Sequence, residues 1–316
     1  GSPSVPQVAE GCMTLDDAMR DACAMVGIVP PPSAPMPGRW KRTNTLERNG
    51  KGDASVLIFD DQSGGICWNW QTQAKQAFRT DGLSGDAPRP RKRDMARERR
   101  EAEERAEVER ICGRIVSSCR QEPHPYLATK GFPDELGLVH DDPRRVLPAG
   151  RLGEALASAM LVTDEPVLIV PGRIGKRITT VQFIAADGTK KNILRGKMAG
   201  ASHRIASGRQ TVVCEGIATA LSVRAALRLL GASATVLSAF SASNVAAVAR
   251  GLPDALIAAD HDKPIEALNG LGTGEFYAAQ SGCRWSMPPE AGDFNDYHTK
   301  HGLRAVALHL REVMPP

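Results

Sequence analysis

Carboxylate side chains follow two apolar, strand-like segments in the C-terminal third of the chain. Glu215 comes directly after the segment 211–214, and Asp260 and Asp262 come after the segment 255–259. Helix-like and strand-like segments alternate between them, which is typical of a parallel α/β sheet. Because ligands of such sheets lie outside the carboxyl ends of the strands, we expect the three acids to converge on one edge. Carboxylates gathered in this way repel one another unless a cation neutralises them, and their hard oxygen atoms suit Mg²⁺ or Mn²⁺.

Short strands and helices must position these acids. The sequence from residue 211 onwards predicts that such strands and helices alternate regularly. The predicted strands are 211–214, 235–237, 255–259 and 284–286. The predicted helices are 218–230, 244–250 and one that begins near Thr273. The glycine-rich run 270–274 lacks the preceding strand and the lysine of a phosphate-binding loop, so we interpret it as a turn.

Three acidic motifs occur in order along this part of the chain. They are Glu215-Gly216 after one strand, Asp260-x-Asp262 after a later strand, and Gly292-Asp293-Phe294-Asn295-Asp296 beyond them. Together they resemble the Toprim signature shared by bacterial-type primases and by type IA and type II topoisomerases. The chain from His124 to the C-terminus resembles in particular the Toprim primases of phages, plasmids and integrated elements. The stretch His124–Gly131 is similar to a motif at the entrance of their primase core.

The resemblance implies a DNA primase that lays short RNA primers on single-stranded DNA. Its substrates would be ribonucleoside triphosphates, and it would serve the replication of a phage, plasmid or integrated element beside a replicative helicase. Nucleotidyl transfer of this kind uses two divalent ions, which activate the attacking hydroxyl and neutralise the developing charges. The expected cofactor is therefore Mg²⁺ or Mn²⁺ in a two-metal site.

The candidate ligands of these ions are Glu215, Asp260, Asp262, Asp293 and Asp296. Asp260 and Asp262 share one side of an extended segment, so both can bind one ion. Asp293, with Asp296 or Asn295, is placed to complete a second ion or its water shell. The resemblance implies that Glu215 is either a further ligand or the group that exchanges a proton. We therefore predict Glu215, Asp260 and Asp262 as the catalytic residues.

Positive charge gathers at the far end of a predicted β-hairpin that precedes the acidic segment. The hairpin consists of strands 178–185 and 192–194, joined by the turn Asp187-Gly188. In a polymerase, such side chains would hold the template backbone or the nucleotide triphosphate. The alternative is an exposed polar hairpin tip. The candidate nucleotide- or template-binding residues are Lys130, Lys190, Lys191, Arg195, Lys197 and Arg204.

A small module before residue 80 combines aromatic and basic residues. Three of the four tryptophans, Trp40, Trp68 and Trp70, lie in it together with Lys41 and Arg42. Aromatic faces interleaved with cations are how single-stranded nucleic acid is held without reading its sequence. These five residues are therefore candidate ligands of single-stranded DNA. The alternative is that a module of this size uses large rings to build its core.

The composition is ordinary for a globular protein, with 42 % apolar and 24 % charged residues among 316 and a formal charge of +4. The seven cysteines include no C-x-x-C pair, which predicts reduced thiols in a cytoplasmic protein. It also leaves no ligand set for the zinc ribbon that precedes the core of chromosomal primases. No apolar stretch approaches membrane-spanning length and no signal peptide is visible. We therefore expect neither zinc nor a membrane to take part.

Shifts in composition predict five segments. Residues 1–11 are interpreted as a tag remnant or a disordered segment, and 12–80 as a small module of one helix and β-strands. A basic linker, 81–93, follows. Residues 94–205 hold a long helix and the N-terminal lobe of the primase core, and 206–316 hold the Toprim domain. The expected fold class is α/β, with a C-terminal Rossmann-like parallel sheet and flanking helices, preceded by a mixed α+β lobe and a small β-rich module.

Three other functions share parts of this signature. A Toprim nuclease would use a similar acidic site to hydrolyse DNA phosphodiesters. A topoisomerase would need a catalytic-tyrosine domain, for which the chain, with three tyrosines, offers no candidate. A non-catalytic replication adaptor would bind DNA and helicase through a degenerate Toprim fold, and the complete acidic set argues against that.

Overall fold

The computed structural model describes residues 14–32, 35–47, 52–79, 95–265, 268 and 270–313. The described residues divide into two compact units: 14–70 and 74–79 form the first, and the others form the second. The segments 1–11 and 81–93, predicted as a tag remnant and a basic linker, lie outside the described residues. Within the described ranges, none of the helices is apolar over a length that would cross a lipid bilayer.

The first unit is a four-stranded antiparallel sheet with one helix, α1 (Leu15–Met25). The helix begins at Thr14, whose hydroxyl accepts a hydrogen bond from the N–H of Asp17, while the Asp17 carboxylate accepts one from the N–H of Thr14. This reciprocal pair is a capping box, which satisfies N–H groups that the first turn leaves unpaired. The strands lie in chain order: β1 (Trp40–Thr43), β2 (Ala54–Ile58), β3 (Gly64–Asn69) and β4 (Lys75–Arg79).

One face of this sheet packs on α1 and forms the core of the unit. Val56 of β2 and Phe78 of β4 belong to the same buried cluster as Met19 of the helix. Since successive side chains of a strand point to opposite faces, the residues between them in the strands point away from α1. None of the three tryptophans in the described part of this unit belongs to the buried cluster. The tryptophan rings therefore lie outside this cluster, which takes its aromatic ring from Phe78.

The second unit contains two five-stranded sheets, of which the first is antiparallel throughout, in the order β5-β6-β7-β8-β9. Its core is made with the apolar side of the long helix α2, where Ile111 and Ile115 pack with Val181 and Phe183 of the sheet. The elements of this lobe are α2 (Met95–Ser117), β5 (Arg120–Glu122), α3 (Pro125–Thr129), β6 (Gly137–His140), a 3₁₀ turn (Pro143–Val146), α4 (Arg151–Ala159), β7 (Val167–Ile174), β8 (Arg177–Ile184) and β9 (Lys190–Asn192).

The second sheet of this unit is parallel except for one edge strand and has the order β10-β12-β11-β13-β14. The edge strand β10 runs antiparallel to β12, and the other three pairings are parallel. The elements are β10 (His203–Ala206), β11 (Gln210–Cys214), α5 (Ile217–Leu229), β12 (Ala234–Ser238), α6 (Ala242–Arg250), β13 (Leu256–Ala258), α7 (Thr273–Gln280), β14 (Arg284–Ser286), α8 (Phe294–His301) and α9 (Leu303–Val313).

Helices cover both faces of this parallel sheet, and its strands are apolar for that reason. Val212 of β11 belongs to the cluster formed with α5, α8 and α9, whereas the next residue, Val213, belongs to the cluster formed with α6 and α7. The alternation of strands and helices agrees with the sequence-based prediction to within one or two residues at most boundaries. The predicted α/β fold class is confirmed.

Candidate active site

Glu215 and Asp260 follow adjacent parallel strands at the same edge of the sheet. Strands β11 and β13 pair with Cys214 opposite Ala258, so the residues after each strand emerge side by side. The two acids line one small cavity together with residues of α6 and α7. The carbonyl oxygen of Glu215 accepts a hydrogen bond from Ser238 Oγ at 3.0 Å, which ties the turn after β11 to the end of β12. The fold thus brings together two acids that are far apart in sequence.

Asp260 has a carboxylate oxygen that is shielded from solvent, although the residue as a whole is only half-buried. This atom, Oδ1, has no hydrogen-bond partner among the described residues. Burial raises the pKa of Asp260 well above its usual range, and the carboxylates of Asp293 and Asp262 raise it further, whereas Lys190 lowers it. A shielded carboxylate beside other carboxylates is costly as an anion unless a cation approaches it.

The loop after β13 is joined to the third acidic motif through its backbone. His261 and Gly292 exchange two backbone hydrogen bonds of 2.9 and 3.0 Å. The imidazole of His261 lies with Nδ1 3.0 Å from the carbonyl oxygen of Pro288, so it is engaged away from the neighbouring carboxylates. This pairing holds Asp260 and Asp293 near enough for their charges to interact.

The start of helix α7 packs tightly against the loop that carries Asp260 and Asp262. The Asp262 carboxylate accepts a hydrogen bond of 2.9 Å from the N–H of Gly274. A Cβ on Gly274 would lie 2.3 Å from the carbonyl oxygen of Asp260, and one on Gly272 would lie 2.6 Å from that of Asp262. Only glycine permits so close an approach. Sequence reasoning treated the run 270–274 as a turn and missed this packing.

Asp293 and Asp296 cap helix α8. The Asp293 carboxylate accepts hydrogen bonds from the N–H groups of Asn295 and Asp296, at 2.7 and 2.8 Å. The Asp296 carboxylate accepts one from the N–H of Asp293 at 3.2 Å. A capping box of this kind gives both acids a structural role. It also fixes the position of the two carboxylates at the start of the helix.

We refer to Glu215, Asp260, Asp262, Asp293 and Asp296 as the acidic edge. In the described part of the chain, no three His, Cys, Asp or Glu side chains form a group that could hold a metal ion as they stand. The chemistry of the donors nevertheless fits a hard divalent cation. All five are carboxylates, Asp260 is under repulsion from its neighbours, and one of its oxygens is buried without a partner among the described residues.

Lys190 of β9 is a predicted cation that reaches the acidic edge. Its Nζ lies over the ring of Tyr126, 5.6 Å from the ring centroid. The same atom is 3.7 Å from the position that a Cβ would take on Gly216, the residue after Glu215. Its charge also lowers the pKa of Asp260. Sequence reasoning missed Tyr126, because only the fold places this residue of α3 beneath the lysine.

Lys130 lies at the end of α3, near the start of α8. Its Nζ is 4.0 Å from Asp296 Oδ1, and its carbonyl oxygen accepts a hydrogen bond of 2.8 Å from the Asn295 side chain. Asn295 is fully buried and also donates to Ser222 Oγ at 3.0 Å. These bonds connect the antiparallel lobe to the acidic edge through α8.

The other predicted cations of this unit lie elsewhere, and within the described ranges none of them contacts the acidic edge. Lys191 follows Lys190 in β9, so its exposed side chain lies on the opposite face of the strand. Arg195 forms an ion pair with Glu104 of α2. Lys197 and Arg204 are exposed.

The predicted ligands of single-stranded DNA lie in the first unit. Trp40 and Arg42 of β1 pair with the outward residues of β2, and Trp68 and Trp70 lie on the same side of the sheet. Lys41, between the first two, lies on the opposite side of β1. The structure therefore brings four of these five residues together.

Two comparisons relate this chain to known proteins. The family model of the Toprim domain matches residues 210–304. A solved structure, the primase fragment of the bacteriophage T7 primase-helicase protein, is similar over 50 % of this chain and 70 % of that chain, with 16 % sequence identity and a TM-score of 0.35. The domain match spans the parallel strands β11 to β14 and every residue of the acidic edge. The chain therefore contains a Toprim domain at residues 210–304, as its acidic motifs predict.

Proposed function

We propose that this chain is a DNA primase that synthesises short RNA primers on a single-stranded DNA template. The observation that carries the proposal is the position of Asp260 in the Toprim domain. Its shielded oxygen, unpartnered among the described residues, lies at the strand end next to that of Glu215, and Lys190 acts on it from the neighbouring lobe. Transfer of a nucleotide to a 3′-hydroxyl needs acids and phosphate-binding cations at one place.

Mg²⁺ or Mn²⁺ is the cofactor that these residues fit. Asp260 and Asp262 would hold it first, with Asp293 and Asp296 as further ligands. Such an ion, when bound, lowers the pKa of an attacking hydroxyl and neutralises charge on phosphate oxygens. Oxygen ligands alone favour these hard ions over softer metals.

The chain's own residues divide the remaining work. Lys190, held over the Tyr126 ring, binds phosphate oxygens of the incoming nucleotide or of the template. Lys130, at the end of α3 and 4.0 Å from Asp296 of α8, adds a second cation on that side. Glu215 exchanges the proton of the attacking 3′-hydroxyl. Arg195, Lys197 and Arg204 are proposed to contact the template backbone at a greater distance, with Arg195 leaving its ion pair to do so.

The test is incubation of the chain with single-stranded DNA, labelled ribonucleotides and Mg²⁺ or Mn²⁺. We expect short RNA products from the wild type and a loss of about a hundredfold or more for Asp260→Asn, because general acid–base and metal-binding groups contribute on that scale. Asp164→Asn changes an exposed carboxylate outside the acidic edge and should keep the full rate. Equal rates for the two variants would remove Asp260 from the site.

The products also distinguish the proposed primase from the two other uses of a Toprim fold. Shortened DNA without new RNA would identify a nuclease. Binding of single-stranded DNA with neither product would identify an adaptor. RNA that forms only when both template and divalent ion are present supports the primase.

The partners in this proposal are single-stranded DNA, ribonucleoside triphosphates and a replicative helicase of a phage, plasmid or integrated element. The helicase follows from the resemblance to primases of such elements. Primer synthesis measured with and without an added replicative helicase of a phage or plasmid tests it, since a true partner should raise the yield. An unchanged yield would remove the helicase from the proposal.

A further inference from the structure

The first unit presents a sheet face on the side opposite the helix α1. We define the tryptophan face as Trp40, Arg42, Trp68, Trp70 and Lys75. These residues occupy outward positions of β1, β3 and β4 or, for Trp70, the position just after β3, on the side opposite the buried cluster. The helix of this unit packs on the other side through Met19 and its neighbours. Leu57 and Ser55 of β2 are buried on this side, but no residue of the tryptophan face belongs to the cluster that packs on α1.

The three indole rings of the tryptophan face are in contact with one another. Trp68 lies at the centre, with its ring centroid 6.1 Å from that of Trp40 and 6.0 Å from that of Trp70. Both contacts are edge-to-face. Trp40 at the end of the row is 49 % exposed, which is unusual for so large an apolar ring. The row ends in a ring that is open to a partner.

Cations lie over two of these rings. The guanidinium carbon of Arg42 is 4.7 Å from the centroid of Trp70, and Lys75 Nζ is 4.2 Å from the centroid of Trp68. Such contacts hold long basic side chains in place over aromatic faces. In the described part of the chain, neither Arg42 nor Lys75 forms an ion pair with a carboxylate. Their charges therefore stay available to an anion.

The outward positions of the four strands, all of which the structure describes, carry no acid. Arg79 of β4 adds a third cation on this side, and the remaining outward residues are apolar, small or hydroxylated. Asp61, in the turn between β2 and β3, interacts electrostatically with Arg79, so Arg42 and Lys75 carry the positive charge that is left to a partner. A face with more cations than carboxylates favours a polyanion over an acid-poor protein surface. Exposed aromatic rings among the cations favour an anion that also carries flat, unpaired bases.

We propose that the tryptophan face binds single-stranded nucleic acid, with bases stacked on Trp40 and its neighbours and phosphates held by Arg42 and Lys75. Stacking does not read the base, so binding is tolerant of sequence.

This inference does not depend on primer synthesis. The binding needs neither a divalent ion nor a nucleotide triphosphate. Binding can therefore be observed without primase activity, and primase activity can be observed without binding at this face. It also assigns Lys75 to the site and removes Lys41 from it. Lys41 and Arg42 are sequence neighbours on opposite sides of β1, and this contrast supplies the matched pair for a test.

The experiment measures binding of the full chain to a labelled oligo-dT of about 15 nucleotides, a length that covers one such site, in EDTA and without nucleotides. Arg42→Glu and Lys41→Glu change the net charge equally. We expect Arg42→Glu to weaken binding about tenfold or more and to lower the salt slope by about 0.7 for each phosphate that is no longer neutralised. We expect Lys41→Glu to change affinity less than about threefold, because its side chain lies away from the stacked bases. Equal weakening by both would show that only net charge matters and would overturn the proposal.

Substitution of the exposed ring provides the second arm. Trp40→Ala should weaken binding by roughly fivefold to a hundredfold, the range measured for loss of one stacked base, whereas Trp40→Phe should retain most of the affinity. In a Trp285→Phe background, all remaining tryptophans lie in this unit, and oligo-dT should quench their fluorescence. Unchanged affinity of Trp40→Ala, or equal affinity of the wild type for duplex DNA, would refute the stacking. Displacement of oligo-dT by poly-glutamate at equal charge concentration would identify an acidic peptide as the ligand instead.

Discussion

The acidic edge and the tryptophan face both gather related side chains, but they do so by different means. At the acidic edge, the order of parallel strands brings together residues that helices separate along the chain, such as Glu215 and Asp260. On the tryptophan face, antiparallel pairing brings together near neighbours such as Trp68 and Lys75. The first arrangement therefore depends on a whole domain, and the second depends on the register of adjacent hairpin strands.

The two regions also differ in how their charges are balanced. Burial and the other carboxylates of the acidic edge raise the pKa of Asp260, and Lys190 opposes this only in part. On the tryptophan face, Arg42 and Lys75 lie over aromatic rings, which stabilise cations without neutralising them. The acidic edge is thus suited to cations, and the tryptophan face is suited to anions. Three further predictions test this contrast.

The largest effect is expected from Lys190, because it is the cation placed against the acidic edge. Lys190→Ala should lower primer synthesis by up to about a hundredfold, since a hydrogen bond to a charged group contributes about 1.5 to 3 kcal/mol. Lys191→Ala is the control, because Lys191 points to the other face of β9. Its rate should stay within about twofold of the wild type, because an exposed cation on that face makes no specific bond. Similar losses in both variants would mean that the hairpin contributes general positive charge and no specific contact.

The next effect concerns the close packing of α7 on the loop that carries Asp260. Gly274→Ala would place a Cβ 2.3 Å from the Asp260 carbonyl oxygen, and overpacking of this kind costs about 1 to 3 kcal/mol. We expect urea unfolding to show that loss in the second unit. Gly113→Ala is the matched control, because a Cβ there meets no other atom within 4 Å. It should stabilise α2 by up to about 1 kcal/mol. A neutral Gly274→Ala would show that the approach of α7 is not tight.

The acidic edge could largely be predicted from sequence, because the carboxyl ends of parallel strands lie at the same edge of a sheet. The apolar runs before Glu215 and Asp260 predict strands, and the alternation with helices predicts their parallel pairing. The confirmed fold class and the Toprim match at 210–304 follow from the same signals. What the pattern could not supply is contact between different parts of the fold, such as Tyr126 beneath Lys190.

The sequence is least able to show which of two adjacent residues lies on which face of a strand. Lys41 and Arg42 were predicted as one basic group, as were Lys190 and Lys191, yet each pair is split between two faces of a strand. A strand with a period of two always divides adjacent residues, but which of them faces the partner depends on the register with the next strand. The glycines at 272 and 274 pose a similar problem, since the close backbone approach that requires them is a tertiary contact.

The smallest effect is expected at the start of α1, which supports the core side of the first sheet. Thr14→Ala removes the hydroxyl that accepts the N–H of Asp17, and loss of such a cap costs about 1 kcal/mol. Urea unfolding followed by tryptophan fluorescence reports mainly on the first unit, which holds three of the four tryptophans. Thr14→Ser retains the hydroxyl and should unfold at nearly the wild-type midpoint.

If both variants unfold alike, the capping box does not stabilise the helix on which the sheet packs. If only Thr14→Ala is destabilised and oligo-dT restores its midpoint, the folded sheet is the form that binds nucleic acid, because a ligand of the native state alone stabilises it.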